Sequence, residues 1–402
     1  MAGKLAKLLE QESEHQWLAI AVFFLFVFFG AFAIGATEHF VGASVVNPEE
    51  AYNGAYVTNI AYQQSSDAYT ALVYSPNSGY NFFTQSIDDE ELKLIYSPAT
   101  VDLGAEVQFL KSMPNGEILF SVADNQVIGL NGEVMVYYDY PDDHGVFSIL
   151  DVAEQGSKEN TQRLLLTKEG GNTTFRGING MMPTYAMSTS VGVQWQHVEA
   201  FSEGLWIATG THISTAGADG SSPATPQARP VIGWIAWQGD AQTPVVQQVN
   251  VFDVGTLNSI ALSEGTAVIG GSSGSLIVAD VNDIQIINIP CSMVVADSFG
   301  KVWFIGQLGS NTISTWQDGE VNTHVLGRQL PVEVSAAGAQ GGFLHVHGTD
   351  ANGDPIQWTI DIKANGSIES GRGFLNLLYL MAGTVILALM LRFAAKEWKL
   401  QQ

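Results

Sequence analysis

His345 and His347 stand two apart in the run Phe-Leu-His-Val-His-Gly-Thr, which reads as a strand, so their side chains share one face. Two imidazoles on one face, with His324 as a third donor, outline a zinc or copper ligand set. Nothing in the sequence brings that third donor close, and neutral histidines on a polar strand face are the commoner arrangement. Asp350, Asn352 and Asp354 follow with the one-three-five spacing of an oxygen cage for a hard cation. The pattern then departs from a calcium loop. Pro355 stands where the sharp-turn glycine belongs, and Asp361 stands where a bidentate Glu is needed. A plain hairpin turn is the reading these residues favour, and calcium is the one cofactor the pattern admits.

Tyr137, Tyr138, Asp139, Tyr140, Pro141, Asp142, Asp143 and His144 gather acids, aromatics and a histidine in one short stretch. Such a set can grip a sugar or a cation, and equally makes a solvated loop after a strand, the preferred reading. The run Asp88, Asp89, Glu90, Glu91 is a charged turn. No nucleophile elbow, phosphate loop or H-E-x-x-H zinc motif occurs. No catalytic, cofactor-binding or metal-binding residue is therefore assigned. Asn172 and Asn365 head two glycosylation sequons, which matter only in a host that glycosylates exterior proteins.

The elements that must position these residues are strands. From 55 to 366 the chain alternates short apolar runs with turn signals, among them Asn131-Gly132, Asp318-Gly319, Asn352-Gly353 and Asn365-Gly366. The runs repeat in a loose unit of four strands. Its openings are clearest near Val107, Ser259, Met293 and Val334, and weaker near Val57, Phe147 and His197. That makes about seven units of roughly 45 residues, the size of a four-stranded propeller blade. Six or eight blades remain compatible with the irregular units near Val57 and His197. The run 40–46 is a spare strand before the first unit, and is expected to join the sheet formed by 332–362. The stretch 215–229 is rich in Gly, Ser, Pro and Ala and reads as a loop interrupting the fourth unit. It is a tolerated surface loop or, less often, a partner-binding one.

The chain has 402 residues, 46% apolar and 14% charged, with 42 glycines. This composition suits a large all-β domain and excludes a disordered chain. The formal charge is −24, and it is concentrated in the large central segment. So acidic a domain should repel nucleic acid. Cys291 is the single cysteine, so no intramolecular disulfide and no multi-thiolate site can form.

Two uncharged apolar runs flank the domain. Residues 17–37 are long enough, as a helix, to cross a hydrocarbon core of ~30 Å, and residues 374–391 just long enough. Arg392, Lys396 and Lys399 follow the second run, and Lys4 and Lys7 precede the first. By the positive-inside rule both tails, 1–16 and 392–402, would be cytoplasmic. The domain 55–366 would then be extracytoplasmic, joined by linkers at 38–54 and 367–373. A disulfide-free exterior domain points to a prokaryote. A cleaved signal peptide is the alternative for the first run, less favoured because the run is long and its preceding tail acidic. Ring closure at one blade would make the two helices neighbours. Asn376, Tyr379 and Gly383 share a helix face, and Ala31 and Gly35 are a small-residue pair that lets backbones approach.

The last three units resemble the broad WD40-like and YVTN-like repeat propellers, most clearly over 257–366. The residues that carry the likeness are the turn Gly300-Lys301-Val302-Trp303, the small residues Gly306 and Gly309, the run Asn311-Thr312-Ile313-Ser314, and the turn Asp318-Gly319. The resemblance implies an all-β fold, a single β-propeller of about seven four-stranded blades flanked here by two transmembrane helices, and a binding habit rather than an activity. The leading expectation is a membrane-anchored scaffold or accessory subunit of an envelope complex, with a protein partner. The rival is a propeller glycan hydrolase or lyase, which would need two carboxylates ~5–9.5 Å apart in the central channel. A ligand-binding sensor is a third class, weakened by short tails.

Overall fold

The computed structural model describes residues 23–26, 30, 44–46, 55–63, 68–77, 79–86, 93–96, 107–121, 126–130, 134–139, 147–157, 160–179, 182–183, 192–214, 227–237, 243–297, 299–325, 330, 333–340, 343–361, 379, 381–386 and 388. These residues form seven four-stranded antiparallel sheets. A short strand, β1 (Ser44–Val46), precedes them.

Sheet one is β2 (Tyr56–Gln63), β3 (Ala68–Ser75), β4 (Gly79–Ser86) and β5 (Lys93–Tyr96). Sheet two is β6 (Leu110–Ser112), β7 (Ile118–Phe120), β8 (Gln126–Leu130) and β9 (Val134–Asp139). Sheet three is β10 (Ser148–Ser157), β11 (Asn160–Glu169), β12 (Asn172–Asn179) and β13 (Met182–Pro183). Sheet four is β14 (Val193–Ser202), β15 (Leu205–Ser214), β16 (Gln227–Ala236) and β17 (Val245–Val251). Sheet five is β18 (Leu257–Ser263), β19 (Thr266–Gly271), β20 (Ser275–Asp280) and β21 (Asp283–Ile287). Sheet six is β22 (Met293–Ala296), β23 (Val302–Ile305), β24 (Thr312–Gln317) and β25 (Glu320–Val325). Sheet seven is β26 (Glu333–Gln340), β27 (Phe343–Thr349) and β28 (Pro355–Asp361), completed by β1 beside β28. All seven expected unit openings fall within the first strand of a sheet or within three residues before it. The spare strand before the first unit does join the last sheet, as its position in the sequence suggested.

Two-residue turns set the register of the tighter hairpins. Glu264-Gly265 links β18 to β19 with φ of 49° and 78°, and Asp318-Gly319 links β24 to β25 with φ of 52° and 83°. Both residues of each pair are left-handed, the geometry whose twist matches paired strands, and Gly takes the second place without cost. The 215–229 stretch lies between β15 and β16. Strand pairing runs on to Ser214 and Gln227, so 227–229 belong to the sheet, and 215–226 lie outside the described residues.

First strands pack against first strands. β2 contacts β26 and β6, β10 contacts β14, β14 contacts β18, β18 contacts β22, and β22 contacts β26. Sheets two and three share a core of Phe109, Met113, Leu119 and Val127 with Phe147, Val152 and Leu165. The core therefore lies between sheets rather than under any single one. The largest side chains fill the seam of sheets three and four, where Trp195, Trp206 and Trp237 pack with Phe175 and Leu166. Gly233 makes room there: a Cβ on it would strike the Trp195 ring.

Five of the seven first strands carry one extra residue opposite the second strand. The register shifts between Val57 and Asn59, Ile149 and Asp151, Trp195 and His197, Leu257 and Ser259, and Val334 and Ala336. A bulge bends a strand and re-aims the side chains beside it. Here it recurs at the same place in each unit, next to the residues that face the middle.

The terminal stretches form a separate compact unit of residues 1–44 and 360–402. The two-pass topology expected for 17–37 and 374–391 is overturned. The described helical residues are 23–26 and 30 in the first run and 379, 381–386 and 388 in the second. Among the described residues no helix is long and apolar enough to cross a membrane. An apolar run of spanning length measures hydrophobicity only, whereas spanning needs some 20 residues of continuous helix. The cytoplasmic tails, the extracytoplasmic domain, the envelope setting and the prokaryotic inference fall with that topology. The two apolar stretches do meet each other. The Phe26 and Tyr379 rings stack at 4.9 Å and 13°, and a Cβ on Gly30 would land on the Tyr379 ring. Gly383 lies close to Phe26, so the face carrying Tyr379 and Gly383 is the contact face.

Candidate functional site

The first strands of all seven sheets line one open cavity of about 710 Å³. Its wall is mixed. Asn59, Gln108, Gln194, Gln196 and Asn258 supply amides, and Ile60, Leu150, Ile260, Met293 and Val295 supply half-buried apolar groups. Lys168 of β11 and Thr173 of β12 add to the lining from outside the first strands. A second cavity of about 650 Å³ is lined by residues further along those strands, including Pro114, Ala153, Glu154, Ala200 and Leu262. Tyr62, Lys111, Ser112 and Glu199 line both cavities.

Lys111 is the hub. It sits on β6, and its ammonium lies 2.9 Å from Asp151 Oδ1 on β10 and 2.7 Å from Glu199 Oε1 on β14. It also donates to the carbonyls of Val152 at 3.1 Å and Val198 at 2.9 Å. Asp151 is buried, and accepts from the backbone N–H groups of Val152 and Val198, each at 2.8 Å. Burial works against the Lys111 charge. The Asp151 and Glu199 carboxylates outweigh it, so the Lys111 pKa is held above its ordinary value. Burial dominates at Glu199 and pushes its carboxyl up despite the lysine. His197 Nδ1 lies 3.8 Å from Asp151 Oδ2; desolvation lowers its pKa from the ordinary value, against the pull of the Asp151 carboxylate.

A second network lies beside the first. Arg163 on β11 binds Glu154 Oε2 through Nε at 2.6 Å and Glu117 Oε2 through a terminal nitrogen at 2.8 Å. Glu117 precedes β7, so this arginine ties sheet three to sheet two. Burial raises the Glu154 pKa against the pull of Arg163.

Chemically, Asp151 and Glu199 are not disposed as an acid and base pair. A glycosidase pair leaves room between its carboxyls for a sugar or water, whereas here one ammonium occupies that space. Asp151 is further committed to two backbone donors. The channel is neither the paired-acid site the enzyme reading needs nor a wall of Ser, Gly and Val. It is a mixed amide and apolar surface with one cross-linking ion network.

The residues singled out in the sequence fall elsewhere. His345 and His347 lie on β27, and His324 lies on β25 of the neighbouring sheet. His345 Nδ1 meets Gln357 Nε2 at 3.2 Å and Thr359 Oγ1 at 3.3 Å, and its ring packs at 5.5 Å from Tyr69 of sheet one. Burial lowers the His345 pKa to about 4 and, with His345 beside it, the His347 pKa to about 3. Neutral packed histidines fit these values. Among the described residues no group of three or more His, Cys, Asp or Glu is placed to hold a metal.

Asp350, Asn352 and Asp354 form the turn between β27 and β28. Asp350 Oδ1 accepts from Asn352 N at 2.8 Å and Asp354 N at 2.9 Å, and Gly353 takes φ of 87°. The Asp354 and Asn352 N–H groups lower the Asp350 pKa. Its carboxylate is thus engaged by its own turn. Residues 140–144, 88–91 and 365 lie outside the described residues. Asn172 is exposed where β12 begins, and Thr173 Oγ1 of its sequon accepts from Trp195 N at 2.8 Å.

Sequence reasoning missed Lys111, Asp151 and Glu199. A signal existed: each is a charge beside an apolar residue in a first strand, in Leu-Lys-Ser, Ile-Leu-Asp-Val and His-Val-Glu-Ala, on three consecutive units. A lone charge at that position implies a buried partner.

No family model matches the sequence, and no curated protein matches it. Solved structures do. The chain is similar to the crystal structure of the Myceliophteria thermophila Cps50 (Swd1) β-propeller domain, with 9% identity over 78% of this chain and 98% of that one and a TM-score of 0.52. It is similar to Chaetomium thermophilum Raptor at 9% identity, with a TM-score of 0.50, covering 79% of this chain but spanning 29% of the Raptor chain. A chain in the crystal structure of the Mitotic Checkpoint Complex matches at 7% identity over 76% of this chain and 90% of that one, with a TM-score of 0.50. At these identities the likeness is one of fold. The chain has a β-propeller-like fold of four-stranded sheets, as the resemblance carried by the repeat residues near Trp303 implied.

Proposed function

We propose that the chain is a protein-binding scaffold without catalytic activity. Its seven sheets close into a ring, with β1 completing the last blade, and a protein partner docks at the mouth of the 710 Å³ cavity. The observation that carries this reading is the composition of that mouth. Amides and half-buried aliphatic side chains from all seven innermost strands form one open surface, while the carboxylates that could do chemistry are bound to Lys111. Recognition surfaces mix apolar contact with a few placed polar groups in this way. Membership of an assembly is also what the description of the Mitotic Checkpoint Complex structure says of one neighbour.

Gln108 and Gln196 are exposed at the cavity and suit a test. The double variant Gln108→Arg/Gln196→Arg adds bulk and charge at the mouth without touching the core. At near-native expression the unaltered chain should carry a stoichiometric protein partner through affinity purification, and the variant should lose it with thermal unfolding unchanged. Equal recovery of the partner by both chains, or no partner for either, removes the reading.

A further inference from the structure

The second cavity carries an inference independent of the docking reading, because it stands on residues at the other end of the Lys111 bridge. Its lining holds one cation, Lys111, and two carboxylates, Glu199 and Glu154; Asp151 is bridged to Lys111, and Arg163 bridges Glu154 and Glu117. The imbalance has a specific form. The Lys111 ammonium has three N–H groups and five acceptor oxygens within 3.1 Å: both of Asp151, one of Glu199 and the carbonyls of Val152 and Val198. Glu199 meets Lys111 through Oε1, and Glu154 meets Arg163 through Oε2. Among the described residues no other donor reaches either carboxylate. Two carboxylates that line one cavity each keep an oxygen without a hydrogen bond from the described residues. Charged acceptors in that state favour a charged donor over water.

The rest of the wall says what kind of donor. Met113, Val152, Ala153, Ala200 and Leu262 are apolar. The remaining wall carries the hydroxyl groups of Tyr62 and Ser112, which offer neutral hydrogen-bond partners and no further negative charge. An ammonium or guanidinium on an aliphatic stem satisfies both halves: its stem lies along the apolar wall and its head reaches the open oxygens. We propose that this cavity is a binding site for an organic cation on an aliphatic stem, with Glu199 as its principal counter-ion and Glu154 as the second. A cavity of about 650 Å³ is in the range of small-molecule sites and holds one such group comfortably.

The test uses the full chain with n-butylammonium and n-butylguanidinium chloride as probes, read by calorimetry and by chemical-shift perturbation. Neutral butan-1-ol is the matched control. Saturable one-site binding of both cations is expected, with butan-1-ol at least roughly tenfold weaker. Glu199→Gln should weaken cation binding by roughly tenfold or more, and Glu154→Gln by less. Glu154→Gln leaves the Lys111–Glu199 bridge in place, so it separates loss of charge from loss of fold. Ala200→Phe fills the cavity from an apolar wall position, and should abolish binding while its unfolding transition stays cooperative. Three results each overturn the proposal: no saturable binding by the unaltered chain, equal affinity for butan-1-ol, or undiminished binding in both Glu199→Gln and Ala200→Phe. Because Gln108 and Gln196 do not line this cavity, the Gln108→Arg/Gln196→Arg chain should bind both cations normally whatever becomes of the protein partner.

Discussion

Sheets two to four and sheets five to six solve the same problem with different chemistry. Each must hold its innermost strand against the next. In the first sector the ties are ionic: Lys111 joins three consecutive sheets, and Arg163 joins two. In the second they are neutral. Ser259 Oγ accepts from Val294 N at 2.8 Å, Asn258 Nδ2 donates to Cys291 O at 3.1 Å, and Ser263 Oγ donates to Gly300 O at 2.6 Å. Gln307 returns the contact by donating to Ser272 O at 2.9 Å. No ion pair joins sheets five and six among the described residues. Neutral ties to backbone can repeat from unit to unit, because every strand offers the same amide groups. A buried ion tie cannot, because it requires one sign on one sheet and the opposite sign on its neighbour. The region whose repeats look alike in sequence is thus the region held by interchangeable contacts. The region whose repeats diverge is the one whose sheets are matched individually.

The sharpest way to break this contrast is Lys111→Met. It keeps the side-chain length and removes the only ammonium between Asp151 and Glu199. Removing one partner of a buried pair leaves an uncompensated charge, at a cost of about 3–5 kcal/mol. The exposed part of the lysine places the expectation at the lower end. Urea unfolding reads it directly, and a loss under about 1 kcal/mol would mean the hub is ornamental. Arg163→Met tests the second ionic tie. It strands Glu154, which is 6% exposed, and should cost about 3 kcal/mol by the same reasoning.

Much of the fold is legible in the sequence, and the reason lies in its turns. Asp318-Gly319 marks a hairpin because only certain residues accept two left-handed positions in succession, and that preference is local. The seven openings are legible because buried strands read as apolar runs. Strands β4, β8, β12 and β25 are not: Asn-Thr-Thr-Phe-Arg-Gly-Ile-Asn in β12 has polar residues at both ends and no alternation to distinguish it from a loop. The bulges are likewise silent, since an extra residue in β14 is defined only by what β15 places opposite it. The site is less legible still. His345 and His347 attract notice by their spacing, yet their partners Tyr69, Gln357 and Thr359 come from other strands. Lys111, Asp151 and Glu199 are 40 and 48 residues apart along the chain, and only the order of sheets brings them together.

The seam between sheets seven and one offers a third kind of tie, and with it a pH dependence. His345 packs on Tyr69 across that seam, and His347 is buried behind it. Both have folded pKa values, about 4 and about 3, below the ordinary value of 6.5. The unfolded chain therefore binds more protons between those values, and stability rises with pH across the window. Each histidine contributes a slope of about 1.4 kcal/mol per pH unit between roughly pH 6 and 4, fully favourable above pH 6.5. Unfolding measured at several pH values should show that slope, and His347→Leu should reduce it by about one proton. An unchanged slope in the variant would falsify burial as its cause.

The smallest effect belongs to the neutral sector. Ser259→Ala removes the acceptor of Val294 N and nothing else that bridges sheets five and six. The hydroxyl-to-amide bond contributes about 1 kcal/mol, with a further penalty if the Val294 N–H finds no water. Val294 is buried, so a penalty of about 1–2 kcal/mol is expected in total. The informative quantity is the ratio to Lys111→Met measured under the same conditions. Added salt discriminates further: raising ionic strength should narrow the Lys111→Met penalty where Glu199 is partly exposed, and should leave Ser259→Ala untouched, because a neutral hydrogen bond has no charge to screen. If the two variants cost the same and respond alike to salt, the ionic and neutral sectors are energetically one, and the divergence of the early repeats needs a cause other than the matching of sheets.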